Sequence, residues 1–279
     1  MNNNDCKSMN ENRISSTQNP RVKRLLVLQQ KSSERRRTGL FVVEGRRELQ
    51  HCVEAGLSVD SVFCCSELMG RGSEFAGPST PPPANHCYEV SPQVYEKIAC
   101  RGGTEGIVAT VEARSLALDD LPELPSPLYV VLERVEKPGN LGAILRTADA
   151  AGADAVLVCD PLTDLYNPNL IRSSVGALFT VPCVACSSDE CIAWLQRRHV
   201  TILTAQLQDS HLYYDTDMRR ATALVMGTEA TGLSSQWRKA ASAHLRIPML
   251  GRLDSLNVSV SAAILLFEAV RQRQMATAD

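Results

Sequence analysis

The sequence predicts an α/β protein of two domains, a small α/β unit followed by a mostly parallel sheet covered by helices on both faces. Three observations predict it. From Leu128 onward, short apolar runs without strict polar alternation recur between helical segments, the pattern of strands buried on both faces. A stretch carrying Pro122, Pro125 and Pro127 among Asp119, Asp120 and Glu123 divides that region from the front of the chain. A length of 279 residues also suits two domains at roughly 150 residues each.

Taken in order, residues 1–12 are polar, cannot bury a core, and are expected to be disordered. Residues 13–111 form the first domain. Val22, Leu25, Leu26 and Leu28 give a helical stripe, and Leu40 to Val43 reads as a short buried strand. Leu49 to Ala55 suggests a helix, Val59 to Cys64 a strand, and Ile107 to Val111 a closing strand. Gly70 to Asn85, with Pro78 and Pro81-Pro82-Pro83, is expected to be a surface loop. Residues 112–127 are the linker, and residues 128–279 the second domain. Its strand candidates are Leu128–Leu132, Ala155–Cys159, Val200–Ala205, Thr222–Met226 and His244–Ile247. Its helical candidates are Leu141–Ala151, Asn169–Leu178, Asp189–Arg198 and Val258–Gln272.

Composition narrows the function classes. No apolar run approaches the ~20 residues that span a bilayer, and the first residues lack the basic-then-apolar layout of a signal peptide. A cytoplasmic protein with no membrane partner is expected. Cys183 and Cys186 form one CxxC, but no second pair or histidines stand at zinc spacing. The ten cysteines therefore read as small buried hydrophobes, with no metal expected. The net charge of −2 hides an asymmetry: residues 1–50 hold eleven Lys and Arg against five acids, leaving the remainder acidic. A basic end suits contact with a polyanion, although a run such as Arg35-Arg36-Arg37 is more often just a solvated face.

Three segments carry the candidate chemistry. The first runs from Leu132 to Ala148, following a strand and opening a helix, where α/β sheets bind ligands. It offers Gly139 and Gly142 in place of GxGxxG, so a dinucleotide site is not predicted. Asn140 can cap the helix start and Arg146 follows about two turns later; alone, the pair fits a plain cap and a solvated charge equally. The second, Leu224 to Ser234, takes a buried strand into a turn with Gly227, Glu229 and Gly232. The third, Leu245 to Val260, ends a strand in Ile247-Pro248-Met249 and leads through Ser255 and Asn257 into a helix nearly free of charge. A helix apolar all round is buried on more than one side, which suggests a subunit interface or chain passing beneath chain.

Together these segments resemble motifs 1, 2 and 3 of the SpoU/TrmH branch of the SPOUT methyltransferases, in order and in internal spacing. Asn167 to Phe179 resembles the family's stretch between motifs 1 and 2. Asn19-Pro20-Arg21-Val22-Lys23, Phe41-Val42-Val43-Glu44-Gly45 and Thr104-Glu105-Gly106-Ile107 resemble its L30e-like RNA-binding domain. Lys137 stands where an acid often precedes the motif 1 proline, and Glu133 where aspartate is common.

The resemblance implies an α/β fold with a deep trefoil knot in the C-terminal SPOUT domain, and a homodimer formed through it. It implies methyl transfer from S-adenosyl-L-methionine to a ribose 2′-hydroxyl, with 23S ribosomal RNA favoured over transfer RNA. It assigns cofactor contacts to Thr204, Ala205, Gly227, Ile247, Met249, Leu256 and Asn257. The catalytic candidates are Arg146, Asn140, Glu229, Ser255 and Asn257. Arginine stays protonated, so Arg146 is expected to hold a phosphate and steady developing oxyanion charge rather than act as a base. Arg21, Lys23, Arg46 and Arg172 are the cationic candidates for RNA contact. A non-catalytic RNA-binding protein of the same fold is the competing class, and it predicts loss of motif residues. A nicotinamide enzyme and a base methyltransferase of a related branch are further alternatives.

Overall fold

The computed structural model describes residues 13–69, 84–100, 105–228 and 231–276. The expected tail 1–12, most of the 70–85 loop, Thr104 and Glu229 lie outside the described residues. By internal contacts the chain divides into two units, residues 1–114 with 166–179, and residues 115–165 with 180–279.

In the first unit, α1 (Pro20–Gln30) starts where Asn19 accepts a hydrogen bond from the Arg21 amide and Pro20 presets the first turn. Val22, Leu25 and Leu28 form its buried stripe. The short α2 (Ser32–Thr38) carries the basic run, which is not uniformly a solvated face. Arg35 is buried and donates to the carbonyls of Leu28 and Gln29, satisfying the open end of α1. Then follow β2 (Leu40–Glu44), α3 (Arg46–Glu54), β3 (Val59–Cys64), β4 (His86–Val90), α4 (Pro92–Ile98) and β5 (Ile107–Glu112). With β1 (Arg13–Ile14) they make a mixed sheet in the order β1-β4-β3-β5-β2. β1, β4 and α4 were not expected from sequence, although Ser91-Pro92 is a helix-start pair: the Ser91 hydroxyl accepts from the Val94 amide.

Residues 166–179, inside the span expected for the second domain, pack in the first unit. The helix expected over Asn169–Leu178 is two pieces, α6 (Pro168–Ser174) and α7 (Ala177–Thr180), which follow α5 (Pro138–Ala150) of the second unit in the chain. Val175 (φ 53°) and Gly176 (φ 91°) are left-handed and break it, and a side chain on Gly176 would run into the His51 ring. Phe41 of β2 stacks on Tyr166 at 4.3 Å and faces Phe179 at 5.8 Å between centroids.

The second unit holds β6 (Leu128–Glu133), α5 (Pro138–Ala150), β7 (Ala155–Cys159), β8 (Cys183–Cys186), α8 (Ser188–Arg197), β9 (Thr201–Ala205) and β10 (His211–Leu212). It closes with β11 (Thr222–Met226), α9 (Ser235–Ala240), β12 (Ala243–Arg246) and α10 (Val258–Ala276). The seven strands run in the order β10-β12-β9-β11-β6-β7-β8, and every pairing is parallel, as the apolar runs predict. One face packs Tyr129, Val131, Leu157, Ile202 and Val225 against Trp194 of α8 and Trp237 of α9. The alternate residues Val130, Leu132, Val156 and Leu224 are equally buried, and α5 and α10 pack together on β7 and β11.

Two arginines bind irregular chain to this frame. Arg273 of α10 donates to the carbonyls of Ser126, Pro127, Met218 and Arg220. Arg198 donates to Leu121 and Pro122 while stacking over Trp194. Residues 115–127, expected as linker, therefore pack as part of the second unit, with Leu121 buried among its apolar side chains.

Candidate active site

Parallel sheets present ligand sites at the carboxyl ends of their strands, and three such ends meet here: β9, β11 and β12. They open into a cavity of about 460 Å³. Ala205, Gly227, Ile247, Met249 and Leu256, named from sequence as cofactor contacts, line it together with Ser255. Thr204 does not; it is fully buried, its hydroxyl 2.6 Å from His244 Nδ1, where it ties β9 to β12. Gln206 to Gln208, Met226, Thr228 and Leu245 also line the cavity and were not singled out. Their signal was position, just at or beyond a strand's carboxyl end.

The turn after β11 is closed on itself. Thr228 bridges Gly232, its hydroxyl lies 2.8 Å from that of Thr231, and it accepts from the Thr231 amide. A Cβ on Gly227 would lie 2.7 Å from the Leu233 nitrogen and closer still to the Gly232 carbonyl, so only glycine fits this approach. Glu229, between these residues, lies outside the described residues. At the end of β6, Glu133 is buried and accepts from the Ser234 amide at 2.8 Å, joining the first segment to the chain beyond this turn.

The first and third segments meet directly. Asn257 Nδ2 donates to Asn140 Oδ1 at 3.1 Å, across 117 residues of sequence. The Asn257 carbonyl oxygen of the side chain also accepts from the amide and hydroxyl of Ser259 at the start of α10. Asn257 is thus a connector beside the cavity rather than part of its lining. Asn140 is half-buried in the first turn of α5, where Lys137 and not Asn140 occupies the cap position. Arg146 lies two turns on, exposed, and is not among the cavity-lining residues. Ser255 contacts Asp254 at 3.4 Å in an exposed loop.

The cationic candidates Arg21 and Arg172 of the first unit line different cavities. Arg21 is exposed on α1, its guanidinium 5.0 Å over the Tyr88 ring with Nε donating to the Tyr88 hydroxyl. It lines a cavity of about 330 Å³ with Arg24, Asp60 and His86. Arg172 of α6 lines a separate cavity of about 460 Å³ with Arg35, Lys97 and Asn169. Lys23 is exposed on α1, and Arg46 is half-buried at the start of α3, its amide donating to Glu105.

Comparison with known proteins gives concordant findings. The model of the SpoU rRNA Methylase family matches residues 127–267, and that of an MRM3-like substrate binding domain matches residues 19–109. A 23S rRNA (uridine(2479)-2′-O)-methyltransferase of Streptomyces viridochromogenes is 32% identical over 265 residues, 92% of this chain and 91% of that protein. The 23S rRNA (guanosine(2553)-2′-O)-methyltransferase of Bacillus subtilis is 29% identical over 91% of this chain and 97% of its own. The crystal structure of an AdoMet-bound rRNA methyltransferase from Sinorhizobium meliloti superposes with a TM-score of 0.82 at 30% identity, covering 93% of this chain and 97% of that one.

Proposed function

We infer the reaction from one premise: the chain belongs to the SpoU rRNA methylase family. It is an S-adenosylmethionine-dependent RNA methyltransferase acting on a ribose 2′-hydroxyl, with 23S ribosomal RNA as the target class. Bound S-adenosylmethionine supplies an electrophilic methyl group. The residues present suit it. A cavity of about 460 Å³ falls in the ~300–1,000 Å³ range of small-molecule sites, and Ile247, Met249 and Leu256 offer apolar walls to a purine. The bare backbone at Gly227 offers peptide groups at close approach.

The observation that carries the reading is the Asn257–Asn140 hydrogen bond, which ties the cavity loop to the helix bearing Arg146. Asn140 and Asn257 hold that helix start against the loop. Arg146, exposed and permanently cationic, binds a phosphate beside the target ribose and stabilises negative charge as the 2′-oxygen gives up its proton. Glu229 orients Arg146 or the substrate, and Ser255 shapes the loop. Alignment is the main contribution, worth about 7–11 kcal/mol in the best model systems.

Arg21, Lys23, Arg46 and Arg172 contact RNA phosphates with salt-dependent affinity. Relatives of about 30% identity modify a uridine in one case and a guanosine in the other. This supports a division in which the second unit performs the transfer and the first unit selects the nucleotide.

Homodimerisation through α10 is part of the proposal. Leu250 is 98% exposed, Leu253 76% and Phe267 49%, a run of apolar surface on and before the last helix. The insertion of β11 between β9 and β6, strands placed earlier in the chain, supports a knotted path. The cytoplasm is the proposed location; no helix among the described residues is long and apolar enough to cross a membrane.

Titration of the purified protein with S-adenosylmethionine should show saturable binding at about one site per chain. Transfer of labelled methyl to 23S rRNA should map to a single ribose. Absence of cofactor binding refutes the reading, and light scattering that shows a monomer refutes the dimer.

A further inference from the structure

Three thiols that methyl transfer does not use converge at the carboxyl ends of β7 and β8. Cys159 ends β7 and Cys186 ends β8, and the parallel register sets them side by side. Cys191 reaches them from the first turns of α8. The three sulfurs lie within 4.8 Å of one another, with Cys159 and Cys186 3.8 Å apart. The CxxC visible in the sequence is not the pair that the fold forms. Cys183 lies three residues before Cys186 on one strand, so the strand period points the two side chains to opposite faces.

We propose that Cys159, Cys186 and Cys191 form a three-thiolate site for a thiophilic d10 metal ion, Zn(II) or Cu(I). A metal–sulfur bond of about 2.3 Å sets sulfurs about 3.8 Å apart around a tetrahedral ion and about 4.0 Å apart around a trigonal one. The Cys159–Cys186 separation already has that value. A disulfide instead needs about 2.05 Å and leaves the third thiol without a role. Thiols bind such an ion as thiolates, and three sulfurs already gathered within 4.8 Å of one another supply that donor set. Binding an ion displaces the thiol protons to solvent. Asp160 and Glu190 add negative potential around Cys186, which favours a cation. Cys159 and Cys191 are buried while Cys186 is only half-buried, which gives the ion a way in. Among the described residues no carboxylate or imidazole joins the group within the same reach. Zn(II) would complete its shell with water, and Cu(I) is content with three sulfurs.

The position gives the site a structural role. Cys159 pairs in register with Glu133, and its carbonyl accepts from the Arg134 amide, so a bound ion would stiffen the strand ends from which the first motif departs.

The test uses the full chain, reduced and stripped of metal without oxygen, and titrated separately with Zn(II), Cu(I) and Co(II) against a chromophoric chelator. One equivalent is expected to bind, with thiolate-to-Co(II) charge-transfer absorption that Zn(II) displaces and a metal-dependent rise in Tm. Elemental analysis of protein purified without added metal identifies the ion, because raw thiolate affinity favours Cu(I) whatever the site's role. Partners outside a ligand set are already worth about 10–100-fold in metal affinity, so Cys186→Ser should lose at least that, whereas Cys183→Ser should bind as the parent does. Lack of stoichiometric binding by the folded parent overturns the proposal, as does undiminished binding by Cys186→Ser. A Cys159–Cys186 disulfide formed on mild oxidation by protein that binds no metal also overturns it, in favour of a redox pair.

Discussion

Gly227→Ala is the sharpest probe of the cavity. The added methyl would sit 2.7 Å from the Leu233 nitrogen and nearer still to the Gly232 carbonyl. Comfortable separations are about 3.5–4.0 Å, so the turn must retreat by roughly 1 Å. Both obstacles are backbone, so no side-chain rotation relieves them, and the turn is closed by the Thr228–Gly232 bridge. Overpacking of this kind costs about 1–3 kcal/mol of stability. A displacement of about 1 Å in a binding loop costs on the order of 10²-fold in function. Calorimetric titration with S-adenosylmethionine should therefore show an affinity loss of that order, with a lower midpoint in urea. Gly139→Ala is the control: nothing lies within 4 Å of a Cβ there, and it lies in the first turn of α5. It should be neutral or stabilise by up to about 1 kcal/mol. If Gly227→Ala bound the cofactor within twofold of the parent, the close approach would play no part in the site.

Three further outcomes are expected. Arg146→Lys should retain cofactor binding and lose about 10²-fold or more in methyl transfer, measured with labelled cofactor; near-full turnover would remove any specific guanidinium role. Trp237→Phe removes a buried indole N–H that donates to the Ser188 hydroxyl at 3.0 Å, and should lower the urea unfolding free energy by about 1–3 kcal/mol with the m-value unchanged. Hydrogen bonds from Arg219 hold Asp217 at a pKa of about 2, below its ordinary 3.8. Its contribution is complete above pH 3.8 and is lost as the pH falls through about 2; Asp217→Asn should flatten that part of an acid titration, with a small amplitude because both side chains lie in solvent.

The sheet of the second unit was legible because strands buried on both faces are written as apolar runs whatever their neighbours do. Leu128–Glu133, Ala155–Cys159 and Thr222–Met226 all read this way. β8 did not, because four residues with two cysteines carry no run, and the strand exists only by pairing with β7. The break at Val175 and Gly176 had a visible glycine but needed the His51 ring to make it obligatory. The site was half legible. Ile247, Met249 and Leu256 follow a strand end, as ligand-lining residues do, whereas Thr204 sits one position earlier, inside the sheet, and points to His244. No local pattern states that Asn140 meets Asn257, or that Cys191 of a helix meets two strand ends. Those contacts arise only from long-range packing.

The allocation of residues 166–179 to the first unit has a consequence in time. Phe41 waits for Tyr166 and Phe179, and His51 for Gly176, so the first unit finishes only about 65 residues after its own strands are made. At ~5–20 residues per second, a ribosome needs several seconds to deliver them. During that interval an aromatic ring that ends up fully buried lacks its stacking partners. A fragment stopped at residue 114 would lack both rings and leave Phe41 without its stacking partners for good.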